Sequence, residues 1–304
     1  MRKKETLIKK VKHFLKQINA PKRLHRFGPK LFELWEHVFA LFVKSMCRLS
    51  YRRTSEFLEM TGFNVASKST LQRYSIKLTL PFWQNILRLT IQGISKIISI
   101  DGTGLEKTSA SEHYIKRIDR ESMFGKGFHF SIAVGENSQI LSLRLRKKYG
   151  HDIKDVKYLF KHMSFKPKII LLDKGYDAEW MHKFFASQNV QSIAPVRKNA
   201  CRGFHRLALK RDFPKKLYGQ RNRVESIFHA FKTKFGSSVS SRKITSARAE
   251  VYCKAILHNI SMFLIRLLGQ TLKAINFFSI SESACEILSI FLESVTIFGF
   301  AISF

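Results

Sequence analysis

Two short stretches each set a bare carboxylate behind an apolar run that reads as a buried strand. Residues 96–106 (KIISIDGTGLE) carry Asp101, and residues 168–177 (KIILLDKGYD) carry Asp173. A single Asp after a strand serves more often as a loop or capping residue than as a ligand. Two in the same framing point elsewhere. In an open α/β sheet, side chains at the carboxyl ends of strands leave the packed layer and gather the chemistry. If the two strands are neighbours, like charges stand a few ångströms apart and raise each other's pKa unless a cation lies between them. A divalent metal with oxygen ligands resolves that repulsion, and Mg²⁺ takes one or two carboxylates together with substrate phosphates.

A third carboxylate is available from residues 220–235 (QRNRVESIFHAFKTKF). With 3.6 residues per turn, Arg221, Glu225, His229 and Lys232 fall within an arc of about 80°. Val224, Ile227, Phe228, Phe231 and Phe235 form the neighbouring apolar stripe, which would dock on the sheet. An ordinary solvated face with i,i+4 pairs has the same pattern. An acid in so basic a segment gains a distinct use if it helps to hold a cation.

Residues 95–101, 127–135, 139–148, 167–173 and 190–197 read as strands, the second and third forming a hairpin across ENSQ. Residues 152–163 and 177–189 read as helices. Residues 197–223 read as a basic loop with ten Lys or Arg against Asp212 alone. Three strands, then helix, strand, helix, strand, helix suit a mixed sheet covered by helices. Upstream, residues 31–46 have a helical apolar stripe of Leu31, Leu34, Val38, Leu41 and Phe42. Ser50 can cap a second helix that Gly62 ends, and Ser67 or Ser69 a third that displays Lys68, Gln72, Arg73 and Lys77. Three short helices of this kind resemble a helix-turn-helix unit whose third helix enters a major groove. Pro81 marks the expected end of that unit.

The 304 residues hold 54 Lys plus Arg against 22 Asp plus Glu, a net charge of +32. A globular chain so charged repels itself unless a polyanion neutralises it, which points to nucleic acid as the partner. Eleven of those cations lie in the first thirty residues, a cationic arm suited to a phosphate backbone. The scattered Cys47, Cys201, Cys253 and Cys285 form neither a zinc cage nor a disulfide framework, so a reducing compartment is expected. The basic N-terminus lacks the apolar run of a secretory signal. Residues 269–304 change character, with one base, three acids and an apolar run that Glu293 makes a poor membrane span. They read as a helical appendage or an out-of-register extension.

Tyr218, Arg221, Glu225 and Lys232 fit the spacing Y-x2-R-x3-E-x6-K. With DGTG at Asp101, DKGYD at Asp173, YGHD at 149–152, PVRKN at 195–199 and ILHNI at 256–260, the chain resembles the prokaryotic insertion-sequence transposases of the DDE class over residues 30 to 265. The resemblance implies a ribonuclease-H-like α/β core, a mixed sheet flanked by helices, behind an all-α helix-turn-helix-like domain. It implies catalytic Asp101, Asp173 and Glu225 holding two Mg²⁺ (or Mn²⁺) for strand cleavage and strand transfer. It further implies DNA contacts from Tyr218, Arg221 and Lys232, to which the sequence adds Lys68, Gln72, Arg73 and Lys174. The implied partners are double-stranded DNA, as terminal inverted repeats and target, and a second copy in a homodimer. The implied location is cytoplasmic and nucleoid-associated, away from the membrane. The expected partition is a basic arm (1–30), a helical DNA-binding domain (31–90), a catalytic domain (91–268) and the extension (269–304). A non-catalytic DNA-binding derivative and a structure-specific nuclease are the competing readings. Among secondary candidates, His129 supports the site or is a satisfied core histidine, and His151 and Asp152 sit at a loop-to-helix junction with Asp152 a possible N-cap. Tyr176 shapes a turn or touches DNA, Trp180 is expected in the core, and Glu106 is wrongly spaced for a ligand.

Overall fold

The computed structural model describes residues 2–25, 30–107, 127–147, 151–241 and 243–277, with side chains from residue 7 to residue 266. Five helices come first: α1 (Arg2–Gln17), α2 (Leu34–Met46), α3 (Tyr51–Met60), α4 (Lys68–Lys77) and α5 (Leu80–Leu89). The cationic arm is largely α1, whose Leu7, Val11, Phe14 and Leu15 are buried at helical spacing while Lys9, Lys12 and Lys16 face solvent. A capping box between Glu33 and Glu36 starts α2 at Leu34. Leu31, expected on the buried stripe, therefore precedes the helix and is 74% exposed. Ser50 caps α3 by accepting from the Arg53 amide, and Gly62, at φ 74°, follows its end. In α4, Leu71, Tyr74 and Ser75 turn inward while Lys68, Gln72, Arg73 and Lys77 are exposed. Pro81 does not end the helical unit: it stands in the first turn of α5, where its missing N–H costs nothing.

The sheet follows as β1 (Ile97–Lys107), β2 (Phe128–Gly135), β3 (Ile140–Arg146), β4 (Ile169–Leu172), β5 (Gln191–Ile193) and β6 (Ser238–Val239). Its order is β3-β2-β1-β4-β5, with β6 paired to the far end of β1. β1 runs antiparallel to β2 and parallel to β4, and β4 parallel to β5, so the sheet is mixed as expected. Helix α6 (Ile153–Lys161) joins β3 to β4, and α7 (Glu179–Ser187) joins β4 to β5. The stretch expected as a basic loop is instead α8 (Phe204–Arg211) and a single turn α9 (Lys215–Tyr218). Glu179 anchors the start of α8 by accepting from the His205 and Arg206 amides, and Asp177 pairs with the Arg206 guanidinium at 2.7 Å. Helix α10 (Asn222–Phe235) and the long α11 (Ile244–Phe277) complete the chain as described. The extension expected from residue 269 begins as the last turns of α11, and residues 278–304 lie outside the described residues. Among the described residues no helix is long and apolar enough to cross a membrane.

Three layers result. One face of the sheet (Leu105, Phe130, Ile132, Leu143) shares a single core with α1–α5, α10 and α11. The opposite face (Ile98, Ile100, Leu141, Ile170, Leu172) packs on α6 and α7. The core thus runs unbroken across the partition expected near residue 90, because α11 packs on α2, α4 and α5 as well as on β3. Asn259 of α11 fastens β3, donating to the Ile140 carbonyl and accepting from the Ile140 amide. That pairing satisfies part of the open edge of β3.

Candidate active site

Alternation along the strands decides which face each candidate serves. Ile98 and Ile100 point to the α6–α7 layer, so Asp101 points to the layer that holds α10. The same holds for β4, where Leu172 faces α6–α7 and Asp173 follows it. The parallel register pairs Ile100 with Leu172, so the two carboxylates emerge side by side. Only Asp173 follows a strand end. Asp101 lies within β1, which continues to Lys107 because β2 keeps pairing it through Leu105; the parallel partner β4 is what stops there.

Helix α10 docks through Val224, Ile227, Phe228, Phe231 and Phe235, all buried as its stripe predicts. That docking brings Arg221, at the entrance of α10, over the strand ends. Arg221 Nη2 donates to Asp101 Oδ2 at 2.8 Å and stands 3.7 Å from Asp173 Oδ1, while Nη1 donates to Glu225 Oε1 at 2.6 Å. One guanidinium therefore joins all three expected carboxylates. The side chains of Arg221 and Asp101 are 12% and 16% exposed, those of Asp173 and Glu225 47% and 56%. The inner pair is shielded and the outer carboxylates open to solvent. Burial pushes the Asp101 carboxyl above its ordinary value, opposed by the Gly102 amide and Arg221 and reinforced by Asp173 and Asp152. For Arg221 burial acts in the opposite sense, but the carboxylates prevail and its pKa is raised.

Three carboxylates are hard oxygen donors of the kind that Mg²⁺ or Mn²⁺ takes, so the donor set fits a divalent ion. Its arrangement serves a different cation. Among the described residues no three His, Cys, Asp or Glu side chains stand close enough to hold a metal. The three acids meet on Arg221, and among the described residues they do not form the metal-holding group that was expected of them. The Arg221 Nε is buried with no hydrogen-bond partner among the described residues.

A second polar cluster lies across β1. Gly102 points away from Asp101, and a Cβ there would stand 3.0 Å from both Asp152 Cγ and His129 Cε1. His129 Nε2 is 2.8 Å from Asp152 Oδ1 and 3.3 Å from Asp155 Oδ2. Asp155, fully buried, also accepts from Ser131 and pairs with Arg144 and Arg146. Burial alone would lower the His129 pKa, but hydrogen bonds to Asp152 and Asp155 raise it to about 9. His129 is thus held as a cation beneath the backbone of the site. Asp152 stands at the N-cap position of α6 without a capping side-chain bond, since its carboxylate goes to His129. Asp155 is not among the residues the sequence singles out; its position beside Val156 and Leu159 on the inward stripe of α6 is the signal that marks it.

The other candidates scatter around this centre. Lys232 donates to Thr103 Oγ1 on β1 at 2.7 Å, two residues beyond Asp101. Tyr218 is half-buried against Phe213. Lys174 is exposed and lines a shallow recess with Arg197 and Lys198. Tyr176 is buried, and its hydroxyl has no partner among the described residues. His151 and Glu106 are exposed to solvent. Trp180, expected in the core, is 44% exposed, with Lys157 4.9 Å above its ring. It falls on the solvent side of α7, whose buried side holds Met181 and Phe185. Lys68, Gln72, Arg73 and Lys77 share one open face of α4.

A family model described as the transposase DDE domain matches residues 92–260. The chain is 25% identical over 269 residues to a probable transposase for an insertion sequence element of Archaeoglobus fulgidus, covering 82% of this chain and 80% of that one. The cryo-EM structure of the piggyBac transposase synaptic complex with hairpin DNA superposes with a TM-score of 0.49 at 11% identity, over 96% of this chain and 78% of that one.

Proposed function

The chain belongs to the transposase DDE domain family, and from that premise we propose that it cuts DNA strands at the ends of an insertion sequence and transfers the freed 3′-hydroxyl into target DNA. The observation that carries this reading is the gathering of Asp101, Asp173 and Glu225 around one guanidinium at the carboxyl end of β4. In this reading the sheet and its helices form a ribonuclease-H-like catalytic core, roughly residues 91–268. Helices α2–α5 form the DNA-binding part, with Lys68, Gln72 and Arg73 on the face that reads the duplex. Asp101, Asp173 and Glu225 would hold two Mg²⁺ or Mn²⁺. Bound there, such ions supply an activated hydroxyl and stabilise the leaving oxygen of an in-line phosphoryl transfer.

The chain's own groups have separable parts. Asp101, anchored by the Gly102 amide and shielded on β1, is the fixed member of the triad. Glu225, more exposed and on a different element, adjusts to the substrate. Arg221 binds carboxylates in the free protein and can turn its fork to a scissile phosphate, for which a guanidinium has matching geometry. Lys232, held by Thr103, and Tyr218 grip the flanking backbone, and Lys174 guards the Asp173 side. Handling two transposon ends calls for two copies, so a homodimer on DNA in the cytoplasm completes the reading.

The test is incubation with duplexes carrying the inverted repeats that flank the gene, in Mg²⁺ or Mn²⁺. Nicking that leaves a 3′-hydroxyl, followed by joined products, is expected, and both reactions should vanish in Asp101→Asn and Asp173→Ala. Cleavage that persists in Asp173→Ala overturns the site assignment. Nicking without joining assigns a nuclease, and binding without either reaction a regulatory derivative.

A further inference from the structure

Away from the carboxylates, a cleft of about 970 Å³ opens between the α2–α3 corner and the wall formed by α10, β6 and the start of α11. Its charged lining is Lys44, Arg48, Arg53, Lys232 and Lys254, against Glu250 alone. Floor and rim differ. On the floor Lys44, Glu250 and Lys254 are each less than a tenth exposed. Glu250 accepts from Lys44 at 3.1 Å and from Ser240 and Ser241, and lies 3.3 Å from Lys254. Burial would raise the Glu250 carboxyl, but the two ammonium groups hold it down at about 2. The carboxylate stays ionised, and by formal charge two lysines face it, although burial lowers the Lys254 pKa. An unmatched buried charge is costly unless a counter-ion meets it. On the rim, Arg48 donates to the Lys234 and Thr233 carbonyls, fixing the corner of α2 to the end of α10, while Arg53 is exposed to solvent.

Lys232 links the cleft to the candidate active site: it belongs to the cleft wall and is fastened to Thr103, two residues along β1 from Asp101. Lys232 follows Glu225 by seven residues on α10, about 10 Å at the helical rise. That is about three nucleotide steps of one strand at 3.4 Å each. We infer that this cleft is a second binding tract for the DNA phosphodiester backbone, running from the catalytic carboxylates to the helical half of the protein. The inference rests on the reading above that the chain acts on DNA, and it adds Lys44, Arg48, Arg53 and Lys254 to the contact surface. The occupant is a duplex backbone rather than a small phosphate compound, because cations line the cleft from Lys232 on one wall to Arg53 on the other instead of converging on one point.

Arg53 is the residue to test, being exposed and, among the described residues, engaged in no side-chain hydrogen bond or ion pair; exposed Arg52, adjacent but outside the lining, is its control. The full chain is titrated with a fluorescent 30-base-pair duplex of mixed sequence in EDTA, across a salt series. Losing one phosphate contact in Arg53→Gln should flatten the log–log salt slope by about 0.9, and Arg53→Glu should weaken binding about tenfold at low salt. Arg52→Glu should fall well short of that effect. Equal effects of Arg53→Glu and Arg52→Glu, with the parent binding normally, overturn the cleft assignment alone. Pyrophosphate binding that Arg53→Gln abolishes while duplex binding stays intact identifies a small-anion site and overturns it too. Failure of the parent chain to bind any duplex overturns both this inference and the transposase reading.

Discussion

Arg221→Gln is the most informative change in the candidate site. The parent side chain neutralises one charge of a three-carboxylate group, touching Asp101 at 2.8 Å and Glu225 at 2.6 Å. Glutamine keeps polarity and much of the length while removing the positive charge. A divalent ion approaching the acids of the parent meets that charge. At about 4 Å a unit pair is worth about 1 kcal/mol in water-like screening, so a dication gains about 2 kcal/mol from its removal. The water-like figure is the appropriate one, because Asp173 and Glu225 are about half exposed. Mn²⁺ should therefore bind the DNA-free variant about thirtyfold more tightly than the parent. Titration followed by electron paramagnetic resonance measures this without any reaction. Asp101→Asn in the variant background should abolish the gain, which locates the ion. Without metal, the variant should be less stable, since three carboxylates then repel with no cation among them. At a hundredfold excess of Mn²⁺ over Kd it should recover about 2.7 kcal/mol. Unchanged or weaker Mn²⁺ affinity in Arg221→Gln would show that the guanidinium does not compete for the position.

Three further outcomes follow from the same contacts. His129 has a folded pKa of about 9, above its ordinary 6.5, so its contribution is complete below pH 6.5 and lost as pH rises through 9; denaturant titrations should show a decline of at most about 3 kcal/mol, flattened in His129→Gln. Gly102→Ala places a methyl 3.0 Å from Asp152 and His129 and should cost about 1–3 kcal/mol, with Asp152→Ala recovering part of the loss in a double-mutant cycle. Glu250→Gln strands two buried ammonium groups and should cost about 3–5 kcal/mol; in the parent the Glu250 contribution is present above pH 4.5 and lost as pH falls toward 2, which an acid denaturation series in both proteins would show.

The paired-strand geometry was readable because buried parallel strands announce themselves as apolar runs and because chemistry collects where such runs end. Asp101 and Asp173 were found that way, and the stripe of α10 gave the docked face and hence Glu225. What escaped was set by partners distant in sequence. α8 looked like a loop because its dense positive charge argues against packing, yet Glu179 and Asp177, on and just before α7, supply the anions that fasten it. Trp180 looked like core by type, while the phase of α7 put Met181 and Phe185 inward instead. The partition near residue 90 follows a change of element type, and the packing of α11 on α2, α4 and α5 as well as on β3 was not legible because those partners lie far apart in sequence.

The occupant of the triad escaped for a more general reason. Spacing shows which side chains share a helix face, and Arg221 and Glu225 at i,i+4 were bound to meet. It does not show which of two cations takes the charge of the acids when both are available. In the free chain Arg221 stands among the acids, delivered by the docking of α10 at no cost in translational entropy. On the proposed function a metal would have to displace it, and a DNA phosphate would give the guanidinium somewhere else to go. Substrate and metal should then favour each other's binding, and by linkage the factor must be the same in both directions. A duplex that raises Mn²⁺ affinity in the parent but not in Arg221→Gln would establish that coupling, and equal enhancement in both would place its origin elsewhere.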